Sequence, residues 1–171
     1  MLSNLGWEVT VRLKVVGSGD APDFSISVLF GIGSKRYDML FGSGSSGAPI
    51  VMLASSFVGD GKEPIAGSTY SLSDGANEYH EYRLVYNPGD SGADLFVDGV
   101  ERISNYTGSD TVQYSGASAM FFGAFGADGS GSANYNFVGL NVPEPGTGTM
   151  LLIGAGWMLG RRGHRSRLPT R

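Results

Sequence analysis

Trp7, Val9, Val11, Leu13 and Val15 are apolar, while the residues between them, Glu8, Thr10, Arg12 and Lys14, are polar. Such alternation puts the two sets on opposite faces of a β-strand, so the chain must supply a second layer to bury the apolar face. Glycine abundance argues against a helical partner layer. Twenty-eight of 171 residues are glycine, and each glycine inside a helix costs about 1 kcal/mol relative to alanine. The 41% hydrophobic share lies outside the disordered range, so a packed β core is expected.

The same signal recurs along the chain. Phe24, Ile26, Val28, Phe30 and Ile32 alternate with smaller or polar residues, and Tyr37, Met39 and Phe41 form a third strand. Gly42 to Gly47 reads as a flexible loop before the continuous apolar run Pro49 to Ala54, which suits a strand covered on both faces. Tyr82, Leu84 and Tyr86 precede a break at Asn87-Pro88-Gly89, and Ala93, Leu95 and Val97 follow it. Asp98-Gly99 favours a two-residue hairpin turn into Val100 to Ser104. Ala119 to Phe125 and Asn134 to Val142 are the last two strands, and the apolar phase of the latter slips between Phe137 and Val138, which predicts a bulge. Eight to ten strands without an amphipathic crossover helix give an all-β fold, an antiparallel β-sandwich.

Charge divides the chain into two parts. Residues 1–142 carry seven basic and fifteen acidic side chains, a net −8, whereas residues 143–171 carry five arginines and one glutamate, a net +4. An acidic body without a Lys/Arg patch repels phosphate backbones, so nucleic acid is not an expected partner. The absence of cysteine removes disulfides, thiolate metal sites and cysteine nucleophiles from consideration. We read residues 1–142 as the sandwich domain and 143–171 as a separate signal.

Tyr79-His80-Glu81-Tyr82-Arg83-Leu84-Val85-Tyr86, a turn, then Ala93-Asp94-Leu95-Phe96-Val97-Asp98-Gly99-Val100 resembles the central hairpin of concanavalin A-like, or laminin G-like, jelly rolls. Phe121-Phe122-Gly123 and the first strand also fall where that family places strands. The resemblance implies a jelly-roll sandwich whose first recognisable strand begins at Trp7. It further implies a missing N-terminal segment, and an upstream start would also account for the lack of a leader peptide before Trp7.

From Pro145 to Gly160 no residue is charged, and the run contains Met150-Leu151-Leu152-Ile153 and Trp157-Met158-Leu159. Sixteen helical residues would span about 24 Å, short of a hydrocarbon core near 30 Å, so a short hydrophobic helix at the C-terminus is expected to be a transient anchor. Arg161, Arg162, Arg165 and Arg167 follow as a basic stop that would hold the C-terminus in the cytoplasm. Pro143-Glu144-Pro145 precedes the run, and two prolines should keep that segment extended. Pro-Glu-Pro, an apolar stretch and terminal arginines resemble the PEP-CTERM sorting signal of exopolysaccharide-producing Gram-negative bacteria. The resemblance implies an exosortase, a membrane transpeptidase-like cysteine protease, as partner. It also implies transient inner-membrane anchoring and delivery to the cell surface or extracellular matrix.

Catalytic patterns are sparse in the body. His80 reads as a half-buried strand residue with a hydrogen-bonded ring. Retaining glycoside hydrolysis needs two carboxyls about 5 Å apart, and Glu78 and Glu81, three apart, fall on opposite strand faces. No Gly-x-Ser-x-Gly follows a strand, and Gly42 to Gly47 lacks the Lys of a phosphate-binding loop. The body is therefore expected to be non-enzymatic and to need no cofactor. Calcium is the metal to consider, with Asp90, Asp94 and Asp128 as candidate ligands beside Asp98 and Asp110, although turn formation explains these aspartates more simply. Tyr106, Tyr114 and Tyr135 are candidates for stacking on sugar rings of an extracellular polysaccharide. Two rival readings are a divergent glycoside hydrolase or lyase-like jelly roll and a purely structural surface protein.

Overall fold

The computed structural model describes residues 5–17, 26–44, 46–58, 63–65, 67–73, 77–110, 118–124 and 131–142. Their regular structure is entirely β. In chain order the strands are β1 (Trp7–Gly17), β2 (Ile26–Ile32), β3 (Lys35–Ser43), β4 (Pro49–Leu53), β5 (Ser56–Val58), β6 (Glu63–Ile65), β7 (Thr69–Ser71), β8 (His80–Tyr86), β9 (Ala93–Val97), β10 (Val100–Tyr106), β11 (Ser109–Asp110), β12 (Ser118–Ala124) and β13 (Ser132–Asn141). One sheet has the order β10-β9-β8-β1-β13, and the other runs β12-β2-β3-β4-β7 with β11 also paired to β3. β5 and β6 form a separate two-stranded ribbon. All pairings are antiparallel, as expected for a β-sandwich.

The alternation of β1 has the predicted consequence. Trp7, Val9, Val11, Leu13 and Val15 are all buried, and they pack with Ile26, Val28, Phe30, Tyr37, Met39 and Phe41 of the facing sheet. Phe41 meets Tyr82 edge to face at 4.8 Å, joining the two layers at their middle. β4 is covered on both sides, as its unbroken apolar run suggested.

Three local expectations are refined. Gly42 and Ser43 belong to β3 rather than to a loop, because they pair with Ile50 and Pro49. The Asp98-Gly99 turn forms with φ of +49° and +80°, the positive pair that a type I′ hairpin requires. In β13 the register shifts opposite Arg12 and Leu13, which leaves Asn136 as an extra residue between Tyr135 and Phe137. The bulge thus lies one residue before the visible slip. Asn136 turns outward, Phe137 turns outward after it, and only then does Val138 re-enter the core.

The outward face of the six-stranded sheet is also buried across its central strands β2, β3 and β4, which alternation within one strand cannot reveal. Leu40, Met52 and Ala54 make a second small apolar cluster there, and Ser27, Leu29, Arg36 and Asp38 share that face. Arg36 and Asp38, two apart on β3, point the same way. Arg36 Nε donates to both carboxylate oxygens at 2.9 and 3.0 Å, and Nη2 donates to Oδ1 at 2.9 Å. Burial pushes the Asp38 carboxyl up to about 6, although the guanidinium pulls the other way. Removing water from this pair therefore outweighs what the pair returns.

Deleting one partner strands the other charge, so Asp38→Ala should lose about 3–5 kcal/mol in urea unfolding. The double variant Arg36→Met/Asp38→Leu should recover most of that loss. Because the folded-state value of Asp38 lies above its unfolded value, its contribution is greatest below about pH 4 and fades as pH rises through about 6. The difference in unfolding free energy between wild type and the double variant should therefore fall between those pH values and stay level above them.

Candidate functional site

At one end of the sandwich β1 begins, β8 ends, and the turn between β2 and β3 closes. The three events put an indole and two phenols side by side. Trp7 stacks on Tyr86 with centroids 5.8 Å apart and planes 16° from parallel, and it meets Tyr37 edge to face at 4.7 Å. These rings floor a cleft of about 330 Å³ whose other walls are Ile32, Lys35, Ser91 and Thr107. Burial raises the Tyr37 phenol above its ordinary value, and the nearby Tyr86 hydroxyl adds to the shift, so Tyr37 remains a neutral hydroxyl at physiological pH. At the rim, Lys35 Nζ lies 2.9 Å from Asp110 Oδ1. The cleft therefore combines flat apolar rings with hydroxyl groups and an amine.

Gly108 shapes the wall behind Tyr37. Its φ is +66°, and a Cβ there would lie 2.8 Å from the Arg36 carbonyl oxygen and 2.9 Å from Tyr37 Cε1. Only glycine lets the segment between β10 and β11 press against the Tyr37 ring.

The tyrosines singled out in the sequence occupy other places. Tyr106 is partly buried against the core. Its ring meets Tyr37 at 5.7 Å, and its hydroxyl donates to the Ala54 carbonyl at 2.8 Å while accepting from the Asp38 N–H at 3.3 Å. Burial raises its phenol strongly. Tyr135 likewise packs on the core; its hydroxyl donates to the Ser27 carbonyl at 3.1 Å, and burial pushes its phenol up to about 12. In both, inward phase in the strand brings the ring onto the core. Tyr114 and Asp128 lie outside the described residues.

The aspartates act as turn and hairpin fasteners. Asp90 Oδ2 accepts from Asn87 Nδ2 at 3.0 Å, and Asp94 Oδ1 accepts from the Asn105 N–H at 2.8 Å. Asp98 Oδ1 accepts the Glu81 N–H at 2.9 Å, and Oδ2 lies 2.8 Å from Nδ1 of the buried His80, which fastens the hairpin turn to β8. Among the described residues no three His, Asp or Glu side chains converge as a metal site would require. The cleft aromatics escaped sequence reading because Trp7, Tyr37 and Tyr86 obey the alternation of core residues. The available signal was their position, since each stands at or near a strand end.

The sorting residues Pro143, Glu144 and Pro145, the apolar residues Met150, Leu151, Leu152, Ile153, Trp157, Met158 and Leu159, and the basic residues Arg161, Arg162, Arg165 and Arg167 lie outside the described residues, as does the short C-terminal helix expected there. No helix among the described residues is long and apolar enough to cross a membrane. Residues 141–167 match the PEP-CTERM protein-sorting motif. No curated protein matches the chain in sequence. Among solved structures, an alginate lyase from Pseudomonas aeruginosa is similar to 83% of this chain over 67% of its own, with 13% identity and a TM-score of 0.46.

Gly108→Ala should lose about 1–3 kcal/mol, combining a strained backbone with the contact at Tyr37. Gly33, at φ +61° with open space around its Cβ position, isolates the backbone part, so Gly33→Ala should lose less. Urea midpoints of the two variants check the difference.

Proposed function

We propose that the chain is exported, held briefly in the inner membrane by its C-terminal segment, cut by an exosortase, and delivered to the cell surface or extracellular matrix of a Gram-negative bacterium. There the sandwich binds glycan chains without catalysing a reaction. The sorting half of this reading is carried by the PEP-CTERM match over residues 141–167. An uncharged run followed at once by Arg161 and Arg162 agrees with it, because the arginines favour the cytoplasmic side while the acidic body is translocated.

The binding half rests on the chemistry of the cleft. A pyranose ring has an apolar C–H face and a polar edge. Tyr86, half-buried and stacked on the buried indole of Trp7, offers a ring surface to the first, whereas Lys35, Ser91 and Thr107 offer hydrogen-bonding groups to the second. No group in this lining is needed as an acid or base for such contacts, and no cofactor enters the reading.

Removing Arg161 to Arg167 should leave the protein mislocalised, as read by surface labelling of intact cells; undiminished display would defeat the sorting reading. The full chain should be retained on at least one polysaccharide of an immobilised panel, tested with and without calcium. Tyr86→Ala should weaken that retention about tenfold, equivalent to about 1.4 kcal/mol, while Val100→Ala on the opposite end should not alter it. Retention on no glycan would leave a purely structural surface protein.

A further inference from the structure

Among the described residues that line the aromatic cleft, Lys35 alone is charged, and the fold places an acid against it. Its partner across the β3–β11 pairing is Asp110, so the register of a two-residue strand sets charge opposite charge. Lys35 Nζ and Asp110 Oδ1 are 2.9 Å apart. Gly108 makes this register possible, because its positive φ lets the backbone close on Arg36 and Tyr37 just before Asp110 is reached.

The surroundings add no compensating positive charge. Ser91 donates its hydroxyl to Asn105 Oδ1 at 2.5 Å, and the Asn105 N–H is in turn held by Asp94 Oδ1. Asp90, next to Ser91 in the chain, accepts from the Asn87 side-chain amide. Asp90 and Asp94 therefore bond amide groups rather than a cation. Residues 111–117, which follow Asp110, contain no Lys, Arg or His, and residues 1–142 carry a net −8.

Resting on the glycan-binding reading above, we propose that the cleft takes uncharged sugar chains and turns away uronates and sulfated sugars, with Asp110 as the residue that sets this specificity. A carboxylate brought to Lys35 also meets Asp110, so repulsion from the acid offsets attraction to the amine. A sugar hydroxyl meets no such opposition. It can accept from the Lys35 ammonium or donate to the Asp110 carboxylate. The two side chains are 39% and 86% exposed, so the pair can open to a hydroxyl without burying a charge. Tyr86 supplies the ring surface beside them.

Immobilised β-glucan, mannan and galactan, each beside its C6-oxidised, carboxylate-bearing form, are the probes for the full chain. Whichever neutral polymer retains the protein should do so about tenfold more tightly than its oxidised form at low salt. Raising NaCl to about 0.5 M should narrow that gap without any substitution, because the repulsion is then screened. Asp110→Asn should narrow it about threefold or more at low salt. Glu101→Gln, which removes the same charge beside the Asp98-Gly99 turn, should leave it unchanged. Equal or tighter retention on the oxidised form, a gap indifferent to salt, or one that Asp110→Asn narrows no more than Glu101→Gln does would overturn the specificity and leave glycan binding standing. Retention on none of the polymers would remove the glycan-binding reading itself, and the specificity with it.

Discussion

A strand hydrogen-bonded on both edges can present its side chains only above and below the sheet. β1 is held between β8 and β13, and five of its side chains are large and apolar on one side. Those five must be covered by another layer, and the cover is the β2-β3-β4 sheet, whose inward residues include Ile26, Val28, Phe30, Met39, Phe41, Val51 and Leu53. Apolar burial at about 25 cal/mol per Å² makes this contact the dominant favourable term, and the other features are arranged around it. Trp7 is the first residue of β1 and its largest, so the end of the contact is aromatic. There Phe30, Tyr37 and Tyr86 gather around the indole, and the cleft is the space left where the two sheets separate.

The buried pair Arg36–Asp38 expresses a different constraint. Strands β2, β3 and β4 are covered on both faces and have no wet side, so a polar residue on either face must find its partner within the protein. Placing the two charges two apart on one strand gives each a neighbour without a long-range search. Tyr106 extends the arrangement, because its hydroxyl takes the Asp38 N–H and gives a bond to Ala54, while its ring supports Tyr37 under the cleft. A polar network on the hidden face and an aromatic floor on the other thus share residues of β3.

The sequence made β1, β8 and β9 plain because each has one covered face, and a period of two then maps directly onto burial. The Asp98-Gly99 hairpin was equally legible, since few dipeptides accept positive φ twice. Alternation gives no information about what covers the second face of a sheet. That is why the buried pairing of Arg36 with Asp38 gave no signal there and Gly42-Ser43 read as a loop. Trp7 and Tyr37 read as core and are buried in it, with Tyr86 half-buried beside them, so their place at a cleft gave no separate signal. A cleft is a property of where several strands end together, and no single segment encodes it.

Chain path gives the cleft a fixed relation to the tail. Asn141, the last residue of β13, pairs with Glu8, the neighbour of Trp7. The chain consequently leaves the sandwich at the pole that holds the aromatic cleft, whereas the Asp98-Gly99 turn, fastened to His80 and Glu81, occupies the opposite pole. Residues 143–149 can reach about 24 Å when fully extended, so a protein held by residues 150–159 keeps that pole within roughly one bilayer thickness of its anchor. Under the proposed sorting route, severing the chain near Pro143 would change what the cleft can meet as well as where the protein resides, turning a pole confined to the membrane margin into one open to long polymers.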